Sequence, residues 1–212
     1  MSATDVLSGL LISTLAVAVI CSLRIPQPRP PVLRWAGWLF LAAFLLEAGG
    51  LITRSWGWNN NAAYNLFQPL EFVLLLALIR TAEPSLHRSV VCIGAIGLVA
   101  CAWSLHAQGG LQLLSVNAIL VFGVLLTVLL VRLLFLMARK SVVPLQQVPT
   151  FWFFLGCLLY FAGVVPVIGG IRLIYDRNPV LAAALWTVIP ILAILRYALA
   201  IWACLLARPR TD

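Results

Sequence analysis

Residues 111–131 read LQLLSVNAILVFGVLLTVLLV, a run with no charged side chain. About 20 such residues, wound as a helix, cross the ~30 Å hydrocarbon core of a bilayer. The run is apolar around its whole circumference, without the alternation of a barrel strand, so a closed transmembrane helix is the expected structure. Working outward, six further stretches of this kind are found at 6–23, 32–53, 62–80, 89–107, 151–171 and 180–203. The whole chain agrees with that reading. Its 212 residues are 63% hydrophobic and only 9% charged, where a soluble domain carries about a quarter charged residues. The spans leave no room for a soluble domain of roughly 100 residues, which excludes kinases, nucleases and nucleotide-binding domains. The expectation is an all-α membrane protein, a single seven-transmembrane helix bundle over residues 1–212.

Basic residues set the direction, because short cytoplasmic loops retain Lys and Arg. Arg24, Arg29, Arg34, Arg80, Arg88, Arg132, Arg139, Lys140, Arg208 and Arg210 all fall on one side of the seven spans, and only Arg54, Arg172 and Arg177 on the other. The N-terminus is therefore expected outside and the C-terminus in the cytoplasm. The net charge of +8 reads as an orientation device with a grip on anionic lipid headgroups, and nucleic acid is not an expected partner. Trp35, Trp38, Trp152 and Trp202 fall near the expected inner surface and Trp56, Trp58 and Trp103 near the outer one, where indole rings prefer to sit. No cleavage pattern precedes the first span, so Val6 onward reads as a retained helix. Thirteen arginines against one lysine is the composition of a GC-rich bacterial genome, which places the chain in a bacterial cytoplasmic membrane.

The proline-rich stretch 24–31 reads as a stiff basic link. Cys21, Cys92, Cys101, Cys157 and Cys204 lie inside spans without paired spacing and read as packing residues. Gly94, Gly97, Gly156 and Gly163 are expected to let helices approach closely. A weak internal echo is present: Gly49-Gly50 recurs as Gly169-Gly170, and Ala62, Ala63 and Pro69 recur as Ala183, Ala184 and Pro190. Such a duplication would be a parallel three-plus-one-plus-three arrangement, with span four as the linker.

Spans two and three carry the chemistry. Glu47 and Glu71 are intramembrane carboxylates, each costing about 2.5 to 3.5 kcal/mol on insertion scales, and so should face the bundle interior. At 100° per residue, Tyr64, Gln68 and Glu71 share a narrow sector with Asn61 and Asn65 on its flank, opposite Leu66, Phe67, Leu70, Val73 and Leu74. Pro69 should kink that helix and free a carbonyl. Ser115, Asn117, Tyr160, Trp186 and Thr187 offer polar groups at comparable depth. The expected site is an outward-facing cavity lined by Glu47, Tyr64, Asn65, Gln68, Glu71, Asn117 and Trp186 and rimmed by Arg54, Arg172 and Asp176. Arg132 and Arg196 read instead as snorkelling to headgroups, which leaves the two acids without an intramembrane base.

Several chemistries lack their residues. A retinal Schiff base needs a lysine inside a span, and Lys140 lies in a loop. Haem held by two histidines needs both at one level, whereas His87 and His106 fall at opposite ends of span four. No metal cluster, phosphate loop or nucleophile elbow is present, and no cofactor is expected. Hydrolysis by paired carboxylates stays open without a catalytic signature to support it. In the number and direction of its spans the chain is similar to sugar carriers of the PQ-loop class. The likeness is topological: their Pro-Gln dipeptide lies within spans, whereas here Pro26-Gln27 is in a loop and span three reads Gln68-Pro69. The leading expectation is small-solute or proton-coupled transport. The alternatives are a ligand-sensing receptor module signalling through a separate cytoplasmic partner, or an accessory subunit docked on another membrane protein.

Overall fold

A computed structural model describes residues 3–26 and 30–208. The direction marks Arg29 and Arg210, and Gln27 of the proline-rich link, lie outside the described residues. Among the described residues the protein is all-helical: α1 (Ala3–Leu23), α2 (Pro31–Ser55), α3 (Asn61–Ala82), α4 (His87–Ala107), α5 (Val116–Lys140), α6 (Pro149–Ile174), α7 (Pro179–Trp186) and α8 (Val188–Leu206). Seven segments are long and apolar enough to cross a membrane, α7 and α8 together making the last. Short connections make successive spans antiparallel, so the starts of α1, α3, α5 and α7 share one end of the bundle, the Ala3 face, and the end of α1 marks the Leu23 face.

The seventh span is broken where proline chemistry requires it. Pro190 has no N–H for the Trp186 carbonyl four residues earlier, and its ring crowds that carbonyl. The helix stops at Trp186, and the Thr187 hydroxyl donates to the Ala184 carbonyl at 2.7 Å. Pro69 and Pro166, by contrast, sit inside continuous helices.

The fifth span lies well off its expected 111–131, at Val116–Lys140. Residues 111–114 are three leucines and Gln112, yet side-chain amides compete for their backbone groups. Asn65 Nδ2 donates to the carbonyls of Leu111 and Leu113 at 3.1 and 2.7 Å, and its Oδ1 accepts from the Ser115 amide at 2.9 Å. Asn61 Nδ2 donates to the Gln112 carbonyl at 2.9 Å, and Gln108 Nε2 to those of Gly110 and Leu113 at 2.8 and 3.0 Å. Gly109 and Gly110 take φ of 78° and 123°, the left-handed region open to glycine. With its backbone so engaged the segment folds as a loop, and the helix extends at its far end through Leu133, Leu134 and Leu136 instead.

Six spans close a ring. α1 packs on α2 and α8, α2 on α3, α3 on α5, α5 on α6, and α6 on α7 and α8, while α4 packs on α3 and α5. The half toward the Leu23 face is densely filled. Phe40 meets Phe153 and Tyr197 edge-on, with ring centroids 6.1 and 6.0 Å apart, and at mid-bundle, above them, Phe72 stacks on Phe122 at 4.2 Å. Leu39, Leu75, Ile79, Leu130, Phe154 and Cys204 are fully buried beside them. Leu66, Leu70 and Val73 of α3 turn outward, and Trp35, Trp38 and Trp202 lie exposed near one face, with Trp56, Trp58 and Trp103 near the other. All five cysteines are free; Cys101, Cys157 and Cys204 are buried and Cys92 is exposed.

At the Leu23 face, Lys140 Nζ reaches both oxygens of Glu83 at 2.8 Å, and Ser85 donates to Glu83 Oε1. The Lys140 ammonium, followed by Ser85, holds the Glu83 carboxyl below its ordinary value of 4.5. Its stabilising contribution is therefore present at neutral pH and lost as pH falls through the lowered value. Since Lys140 is 57% exposed, the pair contributes about 1 kcal/mol or less. Glu83→Gln should lower the thermal midpoint at pH 7, with the difference from the parent disappearing under acid conditions below 4.5. Removing the loop anchor with Asn65→Ala should destabilise by about 2 kcal/mol and speed proteolytic cleavage within 108–115, read by timed digestion.

Candidate functional site

The ring that is packed solid on one side is hollow on the other. A cavity of about 430 Å³ opens among Ser8, Arg54, Asn61 and Trp186 and runs inward to Phe72, Phe122, Arg196 and Tyr197. Every spanning helix contributes lining except α4, which follows from its place outside the ring. Most of the lining is aliphatic or aromatic, with Leu11, Leu46, Phe67, Phe161, Val164 and Ile168 among it.

Glu47 and Glu71 both line this chamber. On α2, Glu47 and Arg54 are seven residues apart and so share a face. Tyr64 of α3 donates its hydroxyl to Glu47 Oε2 at 3.1 Å. Glu71, one turn below Gln68, does not stand alone: Arg196 Nη1 of α8 donates to its Oε1 at 2.6 Å, across the ring. The Arg196 side chain is 3% exposed and that of Glu71 15%. Tyr160, Phe161 and Tyr197 surround the guanidinium, their ring centroids 5.1, 5.4 and 5.4 Å from Cζ, close enough for cation–π attraction.

Arg196 is held there by glycine. A Cβ on Gly156 of α6 would meet the Arg196 carbonyl at 2.9 Å and Leu199 Cβ at 3.1 Å, and one on Gly163 would meet Leu192 Cδ1 at 2.7 Å. The bare face of α6 lets α8 lie directly against it, the close approach expected of small residues in membrane helices. Gly97 does the same for Phe72, at 2.5 Å, where α4 meets α3.

The residues expected from sequence divide into two groups. Glu47, Tyr64, Gln68, Glu71 and Trp186 line the chamber, and Arg54 stands at its mouth. Asn65 does not; it is 1% exposed and its amide is consumed by the 111–115 loop. Asn117 does not either: its Oδ1 accepts from Arg172 Nη1 at 2.6 Å, beside a shallow groove of α4 and α5 lined by Ile96, Val99 and Trp103. Arg172 is thereby placed away from the rim, and Asp176 is exposed in the turn before α7. Both asparagines have the expected depth and the wrong rotation.

Arg196 is the residue whose expected role is overturned. It lies ten residues before the end of α8, about 15 Å at 1.5 Å per residue, too deep to reach headgroups. That depth was available in the sequence. Its partner, 125 residues away, was not. Arg132, nearer its helix end, donates to Ser89 Oγ at 2.8 Å. Phe67, expected on the apolar face opposite the α3 stripe, lines the chamber.

Chemically, the chamber offers two carboxylates and two guanidinium groups, with the polar side chains of Asn61, Tyr64 and Gln68, within a mostly apolar wall. Nε and Nη2 of Arg196 and Oε1 of Gln68 are buried without a hydrogen-bond partner in the protein, a state that costs about 1–3 kcal/mol per neutral group and more for a charged one. Among the described residues no cluster of three or more His, Cys, Asp or Glu could hold a metal ion. No protein-family model, curated protein or solved structure matches the chain.

Removing one member of a buried pair strands the other, whereas replacing both with apolar side chains does not. Arg196→Met and Glu71→Met should each destabilise the protein by about 3 kcal/mol, and the double variant should recover most of that loss. Unfolding in mixed micelles, compared across the four proteins, measures the coupling.

Proposed function

We propose that this chain is a small-solute carrier of the bacterial cytoplasmic membrane, coupled to protons, with its chamber open to the outside. One observation carries the reading: an ionisable pair drawn from opposite sides of a six-span ring, Glu71 and Arg196, forms the floor of a chamber that also holds Glu47 and reaches only one face. Below that floor the ring is closed by Phe40, Phe153 and Phe154. A site near the bilayer middle, bordered by interrupted or proline-bearing helices, is the arrangement secondary transporters use. The break at Thr187 and the prolines of α3, α6 and α8 meet that description.

Two sequence features support the finer parts. The basic residues concentrate at the Leu23 face, which assigns that face to the cytoplasm and the chamber mouth to the exterior. The order of helices around the ring, α1, α2, α3, α5, α6 and α8, treats α1–α3 and α5–α8 as two consecutive halves with α4 set aside. That order accords with the recurrence of Gly49-Gly50 as Gly169-Gly170 and of Pro69 as Pro190. The two halves would then move against each other around the chamber, with Glu47 the group that exchanges protons with the exterior.

Reconstituted into liposomes on a solid-supported membrane, the protein should give a charge transient on rapid exchange into at least one of glucose, lactate, choline or leucine. The transient should depend on pH, and Glu47→Gln should remove that dependence. Silence toward all four probes, with orientation and incorporation verified, refutes the carrier.

A further inference from the structure

Arg196 gives one edge of its guanidinium to Glu71 and keeps another. Nη1 carries the ion pair. Nε and Nη2 form the side-on fork, two roughly parallel N–H donors, and both are buried without an oxygen or nitrogen partner on a side chain 3% exposed, with the Cys157 thiol, a weak acceptor, beside the guanidinium. That geometry matches two oxygens of one planar group, the way a guanidinium holds a carboxylate. In the same chamber, one turn from Glu71, the buried Oε1 of Gln68 accepts from nothing. Glu47 engages Tyr64 through Oε2, so the two side chains together present acceptor oxygens for an N–H donor.

We propose that the solute of this chamber is a small zwitterion: a carboxylate for the Arg196 fork, an ammonium for Gln68 and Glu47, and an apolar body for the walls. The inference rests on reading the chamber as a solute site and names the class of solute. Charge balance selects among the candidates. The chamber sets Glu47 and Glu71 against Arg54 and Arg196, so a lone anion or cation would leave an uncompensated charge in a poorly solvated site, and a zwitterion leaves none. The apolar portion meets Phe67, Phe122, Phe161 and Ile168. A cavity of about 430 Å³ lies within the usual range for small-molecule sites. Because the fork is sealed from water beforehand, binding includes a turn of the Arg196 side chain toward the chamber while Nη1 keeps Glu71.

The test uses the full chain in lipid nanodiscs, titrated calorimetrically with L-phenylalanine, with hydrocinnamate, which lacks the ammonium, and with phenethylamine, which lacks the carboxylate. Phenylalanine should bind, and each truncated analogue should bind at least about tenfold more weakly, the effect of one lost charged hydrogen-bond partner. Arg196→Lys keeps a charge opposite Glu71 but loses the planar fork. It should weaken phenylalanine about tenfold or more and leave phenethylamine unchanged. The analogue series on the parent protein decides the matter even where that variant does not fold. Equal affinity for phenylalanine and either analogue overturns the proposal, as does no binding of phenylalanine or leucine up to about 10 mM. Charge transients with other solutes and no zwitterion binding would remove this class and leave the carrier standing. Zwitterion binding without any transient would remove the carrier and leave the class.

Discussion

A carboxylate and a guanidinium meet at 2.6 Å in the middle of a bundle that is otherwise oil, and most of what distinguishes this protein is arranged around that contact. Neither ion is tolerable there alone. An isolated charge at the bilayer centre costs several kcal/mol, and the pair is acceptable because the partners come from helices on opposite sides of the ring and are fenced by Tyr160, Phe161 and Tyr197. The contact needs α8 to lie against α6 at one particular height. Gly156 supplies it, by leaving no side chain between the helices at the Arg196 carbonyl. The pair thus ties three elements, α3, α6 and α8, into one register, and the chamber inherits its floor from that register.

How far the sequence could be read depended on the distance over which each signal acts. The spans were legible because hydropathy is local: each helix satisfies its own backbone, and about 20 apolar residues suffice. The polar stripe Tyr64, Gln68 and Glu71 was legible for the same reason, being a matter of rotation within one helix. Asn117 was assigned by depth alone, and depth says nothing of azimuth; Asn65 was assigned from the flank of the α3 stripe, where a small rotation decides which neighbour it meets. Asn65 turns to the 111–115 loop and Asn117 to Arg172. The start of the fifth span was misplaced because the leucine-rich, uncharged composition at 111–114 could not reveal that amides of Asn61, Asn65 and Gln108 take the carbonyls a helix would need. Arg196 was misjudged through its pairing, which joins positions 125 residues apart in the chain.

The two ends of the bundle are stabilised by different chemistry. The Leu23 half is held by buried aromatic and aliphatic packing, with Phe40, Phe153 and Phe154 at its centre. The Ala3 half is held at its margins, by amides gripping the 107–116 connection and by Thr53 donating to Asn60 where α2 turns into α3. Such an asymmetry permits a hollow on one side without loss of the whole. The helices are fixed below by packing and above by polar clasps, and the space between stays unfilled.

Trp186 and Arg196 belong to the same span by sequence but to different rods by structure, because the ladder is interrupted at Thr187. The short rod, eight residues from Pro179 to Trp186, borders the doorway, and the long one carries Arg196 of the chamber floor. Doorway and floor are therefore written in separable stretches of the chain. Substitutions confined to the short rod can resize the doorway without disturbing the ion pair beneath it, so the two can vary independently.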